Sequence, residues 1–270
     1  ATAATPREAA GAGQVLLSLD GVTALGSRGG VALRDLSLDL LAGEVFGIAG
    51  VDGNGQKELG EVIAGQRQVA AGRVLIEGQE ITNSGVAAAA RRGIGYVTDD
   101  RLHEGCVPSA SVADNIALKA VGRRPFSNGF WLDRRAIDRE ARELIRAYGV
   151  KTPGPEARIS LLSGGNIQKL LLARELALDP RVLVCNKPTN GLDLQTARFV
   201  VETLRAEADS GKAVLLISSE LDEILEVSDR IGVMFDGRLV GVFPRSAADR
   251  EAIGRLMLGG GADAERRVPA

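Results

Sequence analysis

With 270 residues, 45% of them apolar and 25% charged, the chain has the composition of an ordinary globular protein and is long enough for one large core or a core plus a small subdomain. Its formal net charge of −2 leaves no basic footprint, so no nucleic-acid partner is expected. The sequence shows no signal-peptide pattern and no apolar run that would span a bilayer, so any membrane association is expected to run through a partner protein. Cys106 and Cys185 stand far apart and match no metal-ligand spacing, so a reduced, cytosolic setting and no protein metal site are expected.

Residues 1 to about 14 are small and polar, with Pro6, Gly11 and Gly13, and are expected to form a disordered linker. The first residue is Ala, so the chain is expected to be part of a longer polypeptide. Val15 to Leu19 predicts a short strand. Leu33 to Leu40 alternates apolar and polar residues, the period of a half-buried strand. Gly43-Glu44 turns the chain into Val45-Phe46-Gly47-Ile48-Ala49, a buried strand running into a glycine-rich loop, with a helix over about Gln56 to Ala64. Arg73 to Ile76 and Gln79 to Ile81 predict a hairpin around Glu77-Gly78. Ile94 to Val97 is another buried strand, ending at Thr98-Asp99-Asp100-Arg101.

Beyond it the pattern turns helical, over Val112 to Leu118 and about Arg134 to Tyr148, punctuated by Pro108, Pro125, Pro153 and Pro155. A helix follows Ser163 as far as Leu178. Val182 to Cys185 and Ala213 to Ile217 are buried strands on either side of a helix over Thr196 to Ala208. Strands alternating with helices predict a parallel sheet. Ile231 to Phe235 and Leu239 to Val242 predict a closing hairpin around Asp236-Gly237. A C-terminal tail is expected over 246–270, its last dozen residues frayed.

Three stretches carry chemistry. Leu161-Leu162-Ser163-Gly164-Gly165-Asn166-Ile167-Gln168-Lys169 opens a helix that Ser163 can cap, and its glycines let backbone N–H groups approach an anion closely. The positive dipole end of such a helix favours phosphate. Upstream, Gly50-Val51-Asp52-Gly53-Asn54-Gly55-Gln56-Lys57 joins a strand to a helix; downstream lies Pro188-Thr189-Asn190-Gly191-Leu192-Asp193. Singly, these admit plainer readings: a glycine turn, or a helix cap without function. In this order, over about 15–245, they resemble the nucleotide-binding domain of ABC transporters. The chain is similar above all to the second, C-terminal, degenerate ATPase half of the tandem proteins that energise simple-sugar and nucleoside importers, with the nucleoside side favoured. The loop Gly50 to Gln56, Asp99-Asp100-Arg101 and the segment Ser218 to Ile224 carry that finer resemblance.

The resemblance implies an α/β fold: a P-loop NTPase core with a parallel sheet and a flanking antiparallel β subdomain, built from 15–101 and 161–245, and an inserted α-helical signature subdomain at 102–160. It implies that Gly50 to Lys57 is the nucleotide-binding loop. Leu162, Ser163, Gly164, Gly165, Asn166 and Gln168 form the signature, Gly191, Leu192 and Asp193 the D-loop, and Asp99, Asp100 and Arg101 the Q-loop. A competent phosphate loop reads G-x-x-x-x-G-K-[ST]. Here Gln56 stands at the lysine position and Lys57 at the hydroxyl position that ligates Mg²⁺. One residue along a helix turns a side chain by about 100°, so Lys57 does not replace the lysine. Relatives carry an Asp that helps hold Mg²⁺ and a Glu that polarises the attacking water; this chain carries Asn186 and Lys187. The Q-loop glutamine falls at Asp99 and the switch histidine at Ser219. No aromatic stands near Leu25-Gly26-Ser27, where relatives stack adenine, and the one histidine, His103, is expected to be incidental. Lys57 and Lys187 are expected to pair with Asp99, Asp52 or Glu58, with metal-free phosphate binding or plain solvation as alternatives.

No catalytic residue is therefore expected in this half-site, and no turnover of ATP by it. ABC domains work in head-to-tail pairs, so the intact signature is expected to complete the ATP site of a competent ABC ATPase domain, preceding this one in the same polypeptide. The cofactors implied are ATP, held weakly or through the partner's site, and Mg²⁺ at the partner's site only. Membrane permease subunits are the other expected partners, contacted by Asp99-Asp100-Arg101 and the region Ser111 to Ile116; a solvated charge cluster is the plainer reading of that loop. The location implied is peripheral, on the cytoplasmic face of the membrane. The alternative is an ABC-type regulatory or assembly protein outside transport.

Overall fold

The computed structural model describes residues 13–127 and 131–260. The expected linker, apart from Gly13 and Gln14, and the expected frayed end, from residue 261 on, lie outside the described residues. In chain order the elements are β1 (Val15–Leu25), β2 (Val31–Leu41), β3 (Val45–Ala49), α1 (Gln56–Ile63), β4 (Val69–Ile76), β5 (Gln79–Glu80), α2 (Val86–Arg91), β6 (Ile94–Val97), α3 (Val112–Ala117), α4 (Arg134–Ala147), α5 (Gly164–Leu176), β7 (Val182–Asn186), α6 (Leu194–Asp209), β8 (Ala213–Ser218), α7 (Leu221–Val227), β9 (Arg230–Phe235), β10 (Arg238–Pro244) and α8 (Arg250–Met257). This is the mixed α/β architecture expected. The chain forms two compact units. The first holds the described residues up to Ile94, Arg181–Asn186, and those from Thr203 on; the second holds Gly95–Pro180 and Lys187–Glu202.

In the first unit β2-β1-β4-β5 form an antiparallel sheet, and β10-β9-β3-β8-β7 lie in that order in a second sheet. β3 pairs in parallel with β8 and β9, and β7 with β8, while β10 runs antiparallel to β9. Strands β3, β7 and β8 are buried along their whole length, as unbroken apolar runs predict for parallel strands covered on both faces. Gly47 lets α7 close directly on β3: a Cβ there would lie 2.2 Å from Ser228 Oγ and 2.9 Å from an Ile224 methyl. Both expected hairpin turns are present, with left-handed residues at Glu77 and Gly78 and at Asp236 and Gly237. Paired positive φ angles are what a two-residue turn needs to match the twist of its strands. Strand β1 runs well past its expected end, to Leu25, while β2 keeps close to its expected bounds. Register shifts between Leu19 and Val22 and again toward Leu25 interrupt the alternation that marks a strand in sequence.

In the second unit, α3, α4 and α5 close around Val112, Ile116, Ile137, Ala141, Ile167 and Leu170. That shared apolar cluster joins α5 to α3 and α4 within the second unit. Beneath it lies a buried ionic group. Glu175 is 1% exposed; its carboxylate takes Lys119 Nζ at 2.6 Å, Arg174 Nε at 3.1 Å and Tyr96 N–H at 3.3 Å. Arg174 also donates to the Gly105 carbonyl at 2.8 Å. A π-helical turn at Arg101–Gly105, not expected from the sequence, is capped by Asp100, whose carboxylate accepts the His103 N–H at 3.0 Å. The His103 ring stands 83% exposed beside the same carboxylate, at 2.9 Å. Within the expected tail, α8 forms with Ile253 fully buried.

Candidate functional site

The carboxyl ends of β3, β8 and β7 lie side by side: Ala49 is in register with Ser218, and Asn186 with Ile217. The loop from Gly50 to Lys57, Ser219 and Asn186 therefore share one edge of the first unit's parallel sheet. That edge is where open α/β sheets bind ligands. Gly55, with φ of 99°, caps α1 and passes close under Ala32, whose carbonyl would sit 2.5 Å from any Cβ.

The loop is bonded to itself. Gln56 is only 5% exposed. Its Oε1 accepts the Asn54 N–H at 3.0 Å and its Nε2 donates to the Val51 carbonyl at 2.9 Å. Asn54 Nδ2 donates to the same carbonyl at 2.9 Å, and Asn54 Oδ1 accepts the Asp236 N–H at 2.8 Å. The Gln56 carboxamide lies close against Gly50, where a Cβ would be 2.5 Å from Nε2. A neutral amide thus occupies the inside of the loop and satisfies an N–H that a phosphate would need. Lys57 points one turn along the helix, with Nζ 3.9 Å from Glu61, a partner that sequence reasoning did not name. A Mg²⁺ ion does not fit this residue set: an ammonium replaces the liganding hydroxyl, and a buried carboxamide, Asn186, replaces the carboxylate. The Gln56 amide also engages the Asn54 N–H and the Val51 carbonyl of the loop. Lys187 follows β7 in a left-handed conformation, with φ of 44°.

The second unit carries Leu162 to Gln168, the segment expected to form the signature. Ser163 is exposed and caps α5; its Oγ accepts Asn166 Nδ2 at 2.8 Å and the Asn166 main-chain N–H at 3.5 Å. Asn166 Oδ1 accepts the Lys151 N–H at 2.7 Å. Leu162 is buried and anchors the turn. Gly165 faces Thr196, whose Oγ1 would stand 3.1 Å from a Cβ, so the helix start is packed against the segment after Asp193. Asp193 caps that segment, accepting the Thr196 N–H at 3.0 Å and hydroxyl at 2.7 Å. The Thr196 N–H and hydroxyl hold its carboxyl below the usual carboxylate range.

Arg101 links these parts. Its Nε donates to Gln168 Oε1 at 2.7 Å and an Nη donates to the Asn190 carbonyl. One guanidinium thus ties the loop after β6 to the signature helix and to the turn leading into Gly191. Burial pushes its pKa down. In the sequence Arg101 and Gln168 lie in separate motifs, and neither this clasp nor the closure of the Gly50 to Lys57 loop is visible there. Two carboxamides two positions apart in a glycine loop, Asn54 and Gln56, were the available signal for the closure.

A strand-loop-helix unit at the edge of a parallel sheet, with a serine-capped Gly-Gly helix in a helical unit, defines the P-loop ATPase fold of ATP-binding cassettes. The sequence pattern of the ABC transporter family matches residues 33–190, and the chain belongs to that family. It is 40% identical over 256 residues to the nucleoside import ATP-binding protein NupA of Lactococcus lactis, an alignment covering 95% of this chain and 51% of that protein. It is 41% identical over 256 residues to the guanosine import ATP-binding protein NupO of Bacillus subtilis, covering 94% and 50%. The chain spans about half the length of these curated relatives. In fold it matches the crystal structure of a nucleotide-free ATP-binding cassette from an ABC transporter, with a TM-score of 0.74 at 20% identity, over 95% of this chain and all of that one.

Proposed function

We propose that this chain is the donor half of the ATPase of an importer for nucleosides or simple sugars. Its own phosphate loop turns over no ATP. Its signature completes the ATP site of a competent ABC domain, and it sits beneath membrane permease subunits on the cytoplasmic face. The single observation that carries this reading is the contrast between two sites: a phosphate loop filled by its own Gln56 amide, and a signature helix with an exposed serine cap and an accessible N-terminus. A missing general base alone costs roughly 10²–10⁴ in rate, and here the lysine and metal ligand are missing with it. Relatives twice as long support a second ATPase domain in the same polypeptide, and their names, nucleoside import and guanosine import, support the solute class. Among the described residues no helix is long and apolar enough to cross a membrane, which is consistent with a peripheral subunit.

Two measurements test this. Titrating the chain alone with ATP, with and without Mg²⁺, should show no phosphate release. Steady Mg²⁺-dependent release would overturn the proposal. In the assembled transporter, Ser163→Trp should abolish ATP hydrolysis by blocking the partner's site, and an unchanged rate would refute the donor role.

A further inference from the structure

We infer that Asn166 is a positioning residue that aims the Ser163 hydroxyl hydrogen outward from the signature helix, toward the phosphate of a nucleotide held on a partner domain. This rests on the donor role proposed above and assigns a further residue to it.

The direction follows from which groups can donate. The Lys151 main-chain N–H can only donate, so the Asn166 atom 2.7 Å from it is the carbonyl oxygen Oδ1. That contact fixes the orientation of the carboxamide, which shape alone leaves ambiguous. The other end, Nδ2, carries only hydrogens and lies 2.8 Å from Ser163 Oγ. Ser163 must therefore accept there. The Asn166 main-chain N–H supplies a second, longer contact at 3.5 Å. A hydroxyl has two acceptor lone pairs and one hydrogen. With both lone pairs turned to Asn166, the hydrogen points away from it, and Ser163 is exposed at the start of α5.

The bonds then run in one direction: Lys151 N–H to Oδ1, Nδ2–H to Oγ, and Oγ–H to an incoming anion. Each donor is polarised by the one before it. The N-terminus of α5 and its glycine N–H groups favour the same anion. Without the Nδ2 anchor only the long main-chain contact would hold the hydroxyl, and its hydrogen would face the anion only part of the time.

The experiment is a double-mutant cycle on the ATPase rate of the assembled transporter, with Ser163→Ala, Asn166→Ala and the double variant. Ser163→Ala should lower kcat about tenfold. Asn166→Ala should lower it about fivefold in the presence of Ser163 and less than twofold in its absence. Asn166→Asp keeps an oxygen for Lys151 but replaces the donor with an acceptor. It should draw the hydroxyl inward and fall to the Ser163→Ala rate, and it carries the test if Asn166→Ala fails to fold. Losses that multiply in the double variant would overturn the inference while leaving the donor role intact. So would full activity in Asn166→Ala. An unchanged rate in Ser163→Ala would instead overturn the donor role itself, and this inference with it.

Discussion

Arg101 and Gln168 stabilise the second unit as a pair, and Gln168 left without Arg101 is worse than neither. Arg101→Met removes a charged donor from Gln168 Oε1 and from the Asn190 carbonyl. A hydrogen bond to a charged group contributes about 1.5–3 kcal/mol, and a buried acceptor left bare costs about 1–3 kcal/mol. Gln168 is 0% exposed, and its Nε2 already lacks a partner among the described residues. After the substitution both ends of the amide are bare. Part of the loss is offset, because a half-buried guanidinium no longer has to be desolvated. The net expected loss is about 2–3 kcal/mol. Gln168→Leu removes the bare Nε2 along with the acceptor and leaves Arg101 its Asn190 carbonyl, so it should cost only about 1 kcal/mol. In the double variant both partners become apolar groups of similar shape, and the loss should again be about 1 kcal/mol, below that of Arg101→Met alone. With two units in the chain, a single melting temperature is not well defined. Hydrogen exchange of the α5 amides in urea reads the second unit directly. A double variant that loses the sum of the two single losses would refute the reasoning.

Gln56→Ala frees the Asn54 N–H and the Val51 carbonyl, so two neutral hydrogen bonds of about 0.5–1.5 kcal/mol each no longer compete with a ligand. Calorimetric titration with ATP and with tripolyphosphate should show about tenfold tighter binding than in the parent chain, and equal affinities would show that the amide closes nothing. Glu175→Ala leaves Lys119 and the buried Arg174 without their carboxylate, and urea unfolding should show a loss of about 3–5 kcal/mol from the second unit; less than 1 kcal/mol would mean that water solvates the group. Acid should open the second unit first. Hydrogen bonds hold the Asp100, Asp114 and Asp193 carboxyls low; their contribution is complete above the unfolded value near 3.8 and is lost as pH falls through the lower folded values. In the first unit burial raises Glu44, so that folded unit takes up its proton more readily and acidification favours it there. Pepsin cleavage between pH 4 and 2.5 should fall first within 95–180, and first cuts in β3 or β8 would contradict this.

The parts of the molecule legible in sequence are those that short-range chemistry decides. Val45 to Ala49 and Val182 to Cys185 are unbroken apolar runs, and only a strand covered on both faces accommodates them. Asp236-Gly237 fits a two-residue turn by its backbone preferences alone. The bulged second half of β1 was not legible, because a register shift moves side chains between faces without changing composition. Nor was α8, whose eight residues depend on burying Ile253. The strand, glycine loop and helix that carry Gln56 and Lys57 were readable from the sequence. The bonding of the site was not. The Arg101 clasp joins residues 67 positions apart, and the closure by Gln56 is a choice of rotamer that the backbone around Gly50 permits.

The central strand β3 is paired on both sides by strands from the far end of the chain, β8 and β9. The Val45 N–H finds its acceptor, the Asp229 carboxylate, 184 positions later. At roughly 5–20 residues per second, a ribosome needs about 10–40 s to cover that distance. For all of that time Val45-Phe46-Gly47-Ile48-Ala49 exists as a wholly apolar segment with both edges bare, the template on which chains aggregate. Soluble yield should therefore depend on chaperone capacity and on slow translation at low temperature more than on the stability of the finished fold.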